Sequence, residues 1–187
     1  KEDFELAVGF DCQFEFAESD DDGFALTFGR TPCLSSGIAY LLPKRPESYV
    51  IHVTRDNAHF LANDKAGLFH AWQTFCQMIR LHEQLGFPAG HIVDWPVISK
   101  RFIHLDLAGM TPTFDYLCQI IKTLSRHKIN GVVIEYEDTF PYESHPVVTD
   151  SACAFSKSQI KELRALCQNR CVQVIPKLQS LCHISYI

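Results

Sequence analysis

The sequence predicts an α+β unit followed by an α/β unit, on three observations. Residues 1 to about 62 alternate apolar and polar side chains at period two. Gly86, Pro88, Gly90 and Pro96 punctuate a stretch near residues 86–100. Beyond it, short apolar runs alternate with stretches of helical period. The first pattern implies half-buried antiparallel strands; the last implies a parallel sheet with right-handed crossovers. Residues 1–95 are therefore expected to form one domain and residues 96–187 another.

In the first domain, Phe4–Val8, Cys12–Phe16 and Phe24–Phe28 alternate as strands, with Ser19–Gly23 as a turn. Tyr49–Thr54 and His59–Ala62 flank Arg55–Ala58, which suggests a hairpin. Leu68, Trp72, Phe75 and Ile79 then recur at helical spacing, the stripe of a core-facing helix that Asn63 or Asp64 would cap. Trp72 lies on that stripe and reads as core. The helix ends near residue 85, and a linker over residues 86–100 follows.

In the second domain, Phe102–Leu107 is the first strand. Thr111-Pro112-Thr113 opens a helix with Phe114, Leu117, Ile121 and Leu124 on one face. Gly131–Tyr136 is a short β-branched run and reads as a strand buried on both faces. Ser156 and Gln159 form a capping box, with Phe155 and Ile160 placed as its hydrophobic staple. That helix carries Ile160, Leu163 and Leu166 inward. Val172–Leu178 is the third strand, expected to be broken at Pro176.

Composition narrows the function classes. A hydrophobic content of 47% is enough for a sizeable core, and a net charge of −5, mild and spread out, argues against a nucleic-acid surface. No run of 18 apolar residues is present, so no transmembrane helix is expected. Lys1–Glu5 lack the apolar core of a signal peptide, although a processed one would leave no trace. The eight cysteines include no Cys-x-x-Cys pair, which argues against a zinc knuckle. Cys76, Cys118 and Cys167 fall on apolar faces, so the set reads as reduced thiols and favours a cytoplasmic setting. No cofactor and no metal site is expected.

The chemistry concentrates in Asn130–Glu143, where the second strand opens into Glu135, Glu137 and Asp138 and then Phe140, Pro141 and Tyr142. Carboxylates at the carboxyl end of a buried parallel strand lie where α/β sheets and barrels build active sites. A solvated acidic loop would carry the same residues.

The residues also carry a family resemblance. Tyr49–Val53, Ala66–Phe69 and Gln73–Gln77 resemble the N-terminal domain that precedes the barrel in β-N-acetylhexosaminidases of glycoside hydrolase family 20. Asp94-Trp95-Pro96, Arg101 and Leu105-Asp106 resemble the approach to that family's first barrel strand. Lys128–Asn130 with Glu135–Glu143 is similar to its second strand, particularly in the hexosaminidase D branch, which has a Tyr-Glu-Asp-x-Phe-Pro-Tyr motif. Val174–Pro176 and Gln179-x-x-x-His183 resemble the third strand and its loop. The resemblance runs in order over roughly residues 45–187.

It implies that the second domain is the first three βα units of a TIM-type (β/α)8 barrel, truncated, and that the chain is a piece of a longer protein. The implied substrate is a glycan or glycoside ending in N-acetylhexosamine, with no nucleic-acid or membrane partner. Arg101 matches a sugar-binding arginine, whose fork can donate to two neighbouring hydroxyls. Asp138 and His183 match a pair that supports the catalytic acid, the carboxylate fixing the imidazole tautomer. They are expected at one end of the sheet, together with Arg101. Glu135 and Glu137 are further candidates; together with Tyr136 they depart from the family pattern, because many relatives carry a histidine and tryptophan pattern on this strand. The family's chemistry is substrate-assisted and uses an Asp-Glu pair after the fourth strand. No Asp-Glu dipeptide occurs in the sequence, so the catalytic set is expected to be none in this chain and the chain alone inactive. Two other classes stay open: a non-catalytic carbohydrate-binding module, and a metal-dependent α/β hydrolase with Glu135, Glu137, Asp138 and His183 as ligands.

Overall fold

The computed structural model describes residues 14–18, 24–29, 36–54, 57–81, 89–107 and 110–179. The expected strand Phe4–Val8 and the candidate His183 lie outside them. The chain divides into two compact units, Lys1–Ser99 and Lys100–Ile187.

The first unit is a five-stranded antiparallel sheet: β1 (Phe14–Glu18), β2 (Phe24–Gly29), β3 (Tyr49–Val53), β4 (Asn57–Ala62) and β5 (Gly90–Asp94), in spatial order β1-β2-β4-β3-β5. One helix, α1 (Lys65–Leu81), packs on it. Period-two alternation puts Tyr49, Ile51 and Val53 of β3 and Ala58, Phe60 and Ala62 of β4 on the α1 side, against Leu68, Ala71 and Phe75. The Phe60 and Phe75 rings meet edge to face at 5.1 Å, and Trp72 packs against the same cluster, as its place on the apolar stripe predicts.

The start of α1 separates the two candidate caps. Asp64 takes the role, its Oδ1 accepting from Gly67 N at 2.7 Å. Its Oδ2 accepts from Glu47 N at 2.8 Å, tying the helix to the segment before β3. Asn63 instead donates to Ser48 Oγ at 2.7 Å and to the Arg45 carbonyl at 3.0 Å. Gly67 is required by close approach, since a Cβ there would stand 2.5 Å from the Ser48 carbonyl oxygen.

β5 corrects the reading of residues 86–100 as linker. His91-Ile92-Val93 pairs with β3, register His52 to His91, and Tyr49 OH donates to Asp94 Oδ2 at 2.7 Å. Flanking glycine and proline hid a five-residue strand that is largely exposed. On the sheet face away from α1, His52 stacks between His59 and His91, with centroids at 6.0 and 4.4 Å and planes within 17° and 16°.

The second unit holds β6 (Phe102–Asp106), β7 (Gly131–Glu135) and β8 (Gln173–Lys177), parallel and in sequential order, as the alternation of strands and helices predicts. The crossovers are α2 (Phe114–Arg126) and α3 (Lys157–Asn169). Leu105, Leu107, Val132, Ile134, Val172 and Val174 cluster with Leu117 and Ile121 of α2 and Leu163 and Cys167 of α3. The predicted capping box of Ser156 and Gln159 forms, and within Thr111-Pro112-Thr113 it is Thr113 that caps α2, its Oγ1 accepting from Tyr116 N. Both staple residues, Phe155 and Ile160, join the cluster.

Both helices end alike. Lys128 N donates to the Ser125 carbonyl and Ile129 N to that of Leu124; Cys171 N and Val172 N do the same toward Gln168 and Cys167. These are Schellman closures, and they leave Lys128 (φ 61°) and Cys171 (φ 56°) in the left-handed region that favours glycine. Pro176 does not break β8, which runs on to Lys177. β8 has a strand neighbour on one side only among the described residues, and an edge position tolerates a residue without an N–H.

Candidate functional site at the carboxyl ends of the parallel strands

The register aligns Asp106, Glu135 and Lys177 across β6, β7 and β8 at their carboxyl ends. Neighbours in register share a face, and two residues along a strand return to it. Since Ile134 and Val132 point into the helix-side cluster, Glu135 lies on the opposite, helix-free face with His104 and Lys177.

Glu135 is the centre of this face. Its side chain is 3% exposed, and the two neighbouring strands, β6 and β8 with its extension, supply its partners. Oε2 takes His104 Nε2 at 2.9 Å and Lys177 Nζ at 2.7 Å, and Oε1 accepts from the Gln179 side-chain amide. The Lys177 hydrogen bond, then that of Gln179, the lysine's charge and the His104 contact outweigh burial, and together hold the carboxyl below its usual value of 4.5. An ionised carboxylate accepting from Nε2 selects the tautomer in which that nitrogen carries the proton.

The other candidates separate. Glu137 and Asp138 form a single 3-10 turn, Glu137–Thr139, immediately after β7. Thr139, fully buried, donates through Oγ1 to the Tyr136 carbonyl, and its own carbonyl accepts from Phe155 N. Asp150 N donates to the Asp138 carbonyl at 2.9 Å, so the acidic turn is pinned to the loop that leads into α3. Glu137 sits at φ 45°, a strained position for a non-glycine residue of the kind that collects at functional sites. Tyr136 belongs to the helix side, where burial, and then the nearby Cys167, pushes its hydroxyl up to about 12.

Arg101 requires a correction. It precedes Phe102, which pairs with Gly131 at the amino end of the sheet, and its Nε donates to the Lys128 carbonyl at 2.7 Å. The length of β6, about 3.3 Å per residue, lies between it and the level of Asp106 and Glu135. Arg101 therefore does not gather with the carboxylates, and it braces the turn that leads into β7. Its companion Asn130 does likewise, accepting from Arg101 N at 2.9 Å.

Two participants were missed by sequence reasoning, His104 and Lys177; Gln179 was noted only within the third-strand resemblance. The period-two spacing of His104 and Asp106 was the available signal, since both must share a face. Among the described residues, no group of three His, Cys, Asp or Glu side chains is placed to hold a metal ion. Glu135 instead meets three nitrogen groups. The five described cysteines, Cys76, Cys118, Cys153, Cys167 and Cys171, are free thiols. No helix among the described residues is long and apolar enough to cross a membrane. A groove of about 480 Å³ lies on the helix side, between Tyr136, Phe140, Arg164 and Pro176, away from the Glu135 face.

Comparison with known proteins meets the resemblance read from the sequence. Residues 17–95 match the model for glycosyl hydrolase family 20, domain 2. Hexosaminidase D of Bos taurus is 39% identical over 87 residues, which is 46% of this chain and 25% of the bovine protein. The chain thus spans about a quarter of that relative's length. Among solved structures, a β-N-acetylhexosaminidase superposes with a TM-score of 0.69 at 22% identity, covering 76% of this chain and 34% of that one. A variant of Streptomyces plicatus β-hexosaminidase in complex with GlcNAc product superposes with a TM-score of 0.62 at 22% identity, covering 73% and 32%. These likenesses carry the fold, a mixed α/β arrangement.

Proposed function

We propose that this chain is a fragment of a family 20 β-N-acetylhexosaminidase, a glycosidase removing terminal N-acetylhexosamine from a glycan or glycoside. Residues 1–95 are then the domain that precedes the barrel, and residues 96–187 the first three βα units of the TIM-type (β/α)8 catalytic barrel. The identity with hexosaminidase D carries this reading, with the family 20 match over residues 17–95. The placement of Glu135, Glu137 and Asp138 supports it, because a barrel of this type works at the carboxyl ends of its strands.

The proposed reaction is retaining and substrate-assisted. The acetamido oxygen of the sugar attacks the anomeric carbon as a carboxylic acid gives its proton to the leaving oxygen. Water then opens the cyclic oxazolinium with the proton returned to the carboxylate. The Asp-Glu pair for these steps would come from outside this chain, which has no such dipeptide. Asp138, with His183, is assigned to orient that acid.

The test is a turnover assay with a chromogenic N-acetyl-β-glucosaminide. The longer protein containing this segment should hydrolyse it, and the pure 187-residue chain should not. Hydrolysis by the chain alone that disappears on mutating Glu137 or Asp138 would overturn the assignment, and so would an inactive longer protein.

A further inference from the structure

We propose, resting on the hexosaminidase reading, that Thr139 is the positioning residue that aims Asp138 at the catalytic acid. Thr139 is wholly buried and follows Asp138 directly in the 3-10 turn after β7. It grips the carbonyl of Tyr136, the residue before that turn, twice: Oγ1 donates to it at 2.5 Å and the backbone N at 2.9 Å. Both lone pairs of that oxygen are thus taken by one residue. The branched Cβ of threonine restricts its side-chain rotation, so the hydroxyl stays on the carbonyl.

The turn needs this grip because its backbone is strained. Glu137, between Tyr136 and Asp138, sits in the left-handed region at φ 45°, a conformation that persists only where surrounding contacts hold it. Relaxing it would swing Asp138 away from the end of β7. Thr139 opposes that swing from the strand side. From the other side, the loop before α3 supplies two donors at 2.9 Å: Asp150 N to the Asp138 carbonyl and Phe155 N to that of Thr139. Phe155 is itself buried in the core as the staple of α3. All of these bonds lie within the segment from Tyr136 to Phe155, so none depends on the strands that complete a barrel. Asp138 therefore leaves the strand end from a fixed backbone. Thr139 touches no sugar in this arrangement and acts through Asp138. Misplacing a group in a catalytic array by about 1 Å can cost about a hundredfold in rate, so the hydroxyl has leverage on turnover.

The experiment measures kcat and KM of the longer protein on a chromogenic N-acetyl-β-glucosaminide, with a thermal melt of each variant. Thr139→Val keeps the shape of the side chain and removes the hydroxyl. It should lower kcat about tenfold or more with KM nearly unchanged. Thr139→Ser, which keeps the hydroxyl, should restore most of that loss. In an Asp138→Asn background Thr139→Val should cost nothing further, because the group it acts through is gone. A merely structural hydroxyl would slow both backgrounds by the same factor, which overturns the proposal; so does an unchanged kcat or a loss confined to KM. If the valine variant does not fold, Thr139→Ala carries the same comparison. Any of these contrary results in an active longer protein overturns this inference alone. An inactive longer protein overturns the hexosaminidase reading and this inference with it.

Discussion

Replacing Gly131 by alanine should destabilise the second unit, and removing the neighbouring ring should reverse the sign. A Cβ at Gly131 would stand 2.3, 2.4 and 2.7 Å from three atoms of the Phe102 ring, where ordinary contact begins near 3.4 Å. Gly131 does not have a positive φ, so space alone bars the substitution. The ring must withdraw by roughly 1 Å, an overpacking cost of about 1–3 kcal/mol. In a Phe102→Ala background that obstacle is gone. Alanine then holds only its advantage over glycine within a strand, about 0.5–1 kcal/mol. That advantage is common to both backgrounds and cancels, so the double-mutant cycle should show a coupling of about 1–3 kcal/mol, the overpacking cost alone. Urea unfolding followed through amide peaks of β7 measures it, because those peaks report this unit separately from the first. Equal effects of Gly131→Ala in both backgrounds, or a gain in the presence of Phe102, would refute the reasoning.

Gly67→Ala should also destabilise, by about 1–2 kcal/mol in urea midpoints followed at Trp72. The clash with the buried Ser48 carbonyl exceeds the gain in helix propensity. Cys171→Gly should stabilise the second unit by about 0.5–1 kcal/mol, relieving a left-handed backbone at φ 56°, as seen in the midpoint of β8 amide peaks. Acid should weaken the two units in different windows. Burial, and then the charge of His52, lowers the pKa of His59, so the unfolded chain takes up a proton before the folded one does. Stability of the first unit is full above about 6.5, the ordinary histidine value, and declines as pH falls toward the folded value. Its slope is at most about 1.4 kcal/mol per pH unit for one proton, and His59→Gln should flatten it. Glu135 is lowered from 4.5, so its contribution is full above that value and is lost as pH falls through its folded value. Residue-resolved pH titration that shows a single common acid transition would contradict this.

What the sequence made legible was local. Thr111-Pro112-Thr113 and Ser156 announce their helices because a cap needs only the next three residues, and the Ser156 box forms as read. The apolar stripe of α1 is legible for the same reason. Asp64 was separable from Asn63 only in space, because the choice depends on Glu47 and on Ser48, across 17 and 15 positions. β5 was obscured because its pairing with β3 is long-range while its glycine and proline neighbours are local. The candidate site shows the same limit. Glu135 was visible as a carboxylate at a strand end, but His104 and Lys177 reach it from 31 and 42 positions away. Arg101 was assigned by resemblance, which conveys a position in sequence and not the end of the strand at which the side chain is held.

The Glu135 contacts also bear on how the parallel sheet finds its alignment. The middle of β7, Val132-Val133-Ile134, is apolar on both faces, so those residues would pair about as well if the strand slid by one position. Glu135 removes that ambiguity. A one-residue slip would turn its carboxylate into the cluster of Leu117, Ile121 and Leu163, and would set Ile134 opposite Lys177 on the other face. An unpaired charge among aliphatic side chains is costly enough to reject the slipped pairing, and two neighbouring strands supply its partners only in the native alignment. The misaligned sheet is thus excluded while it assembles, and β6 and β8 are placed against β7 by one side chain.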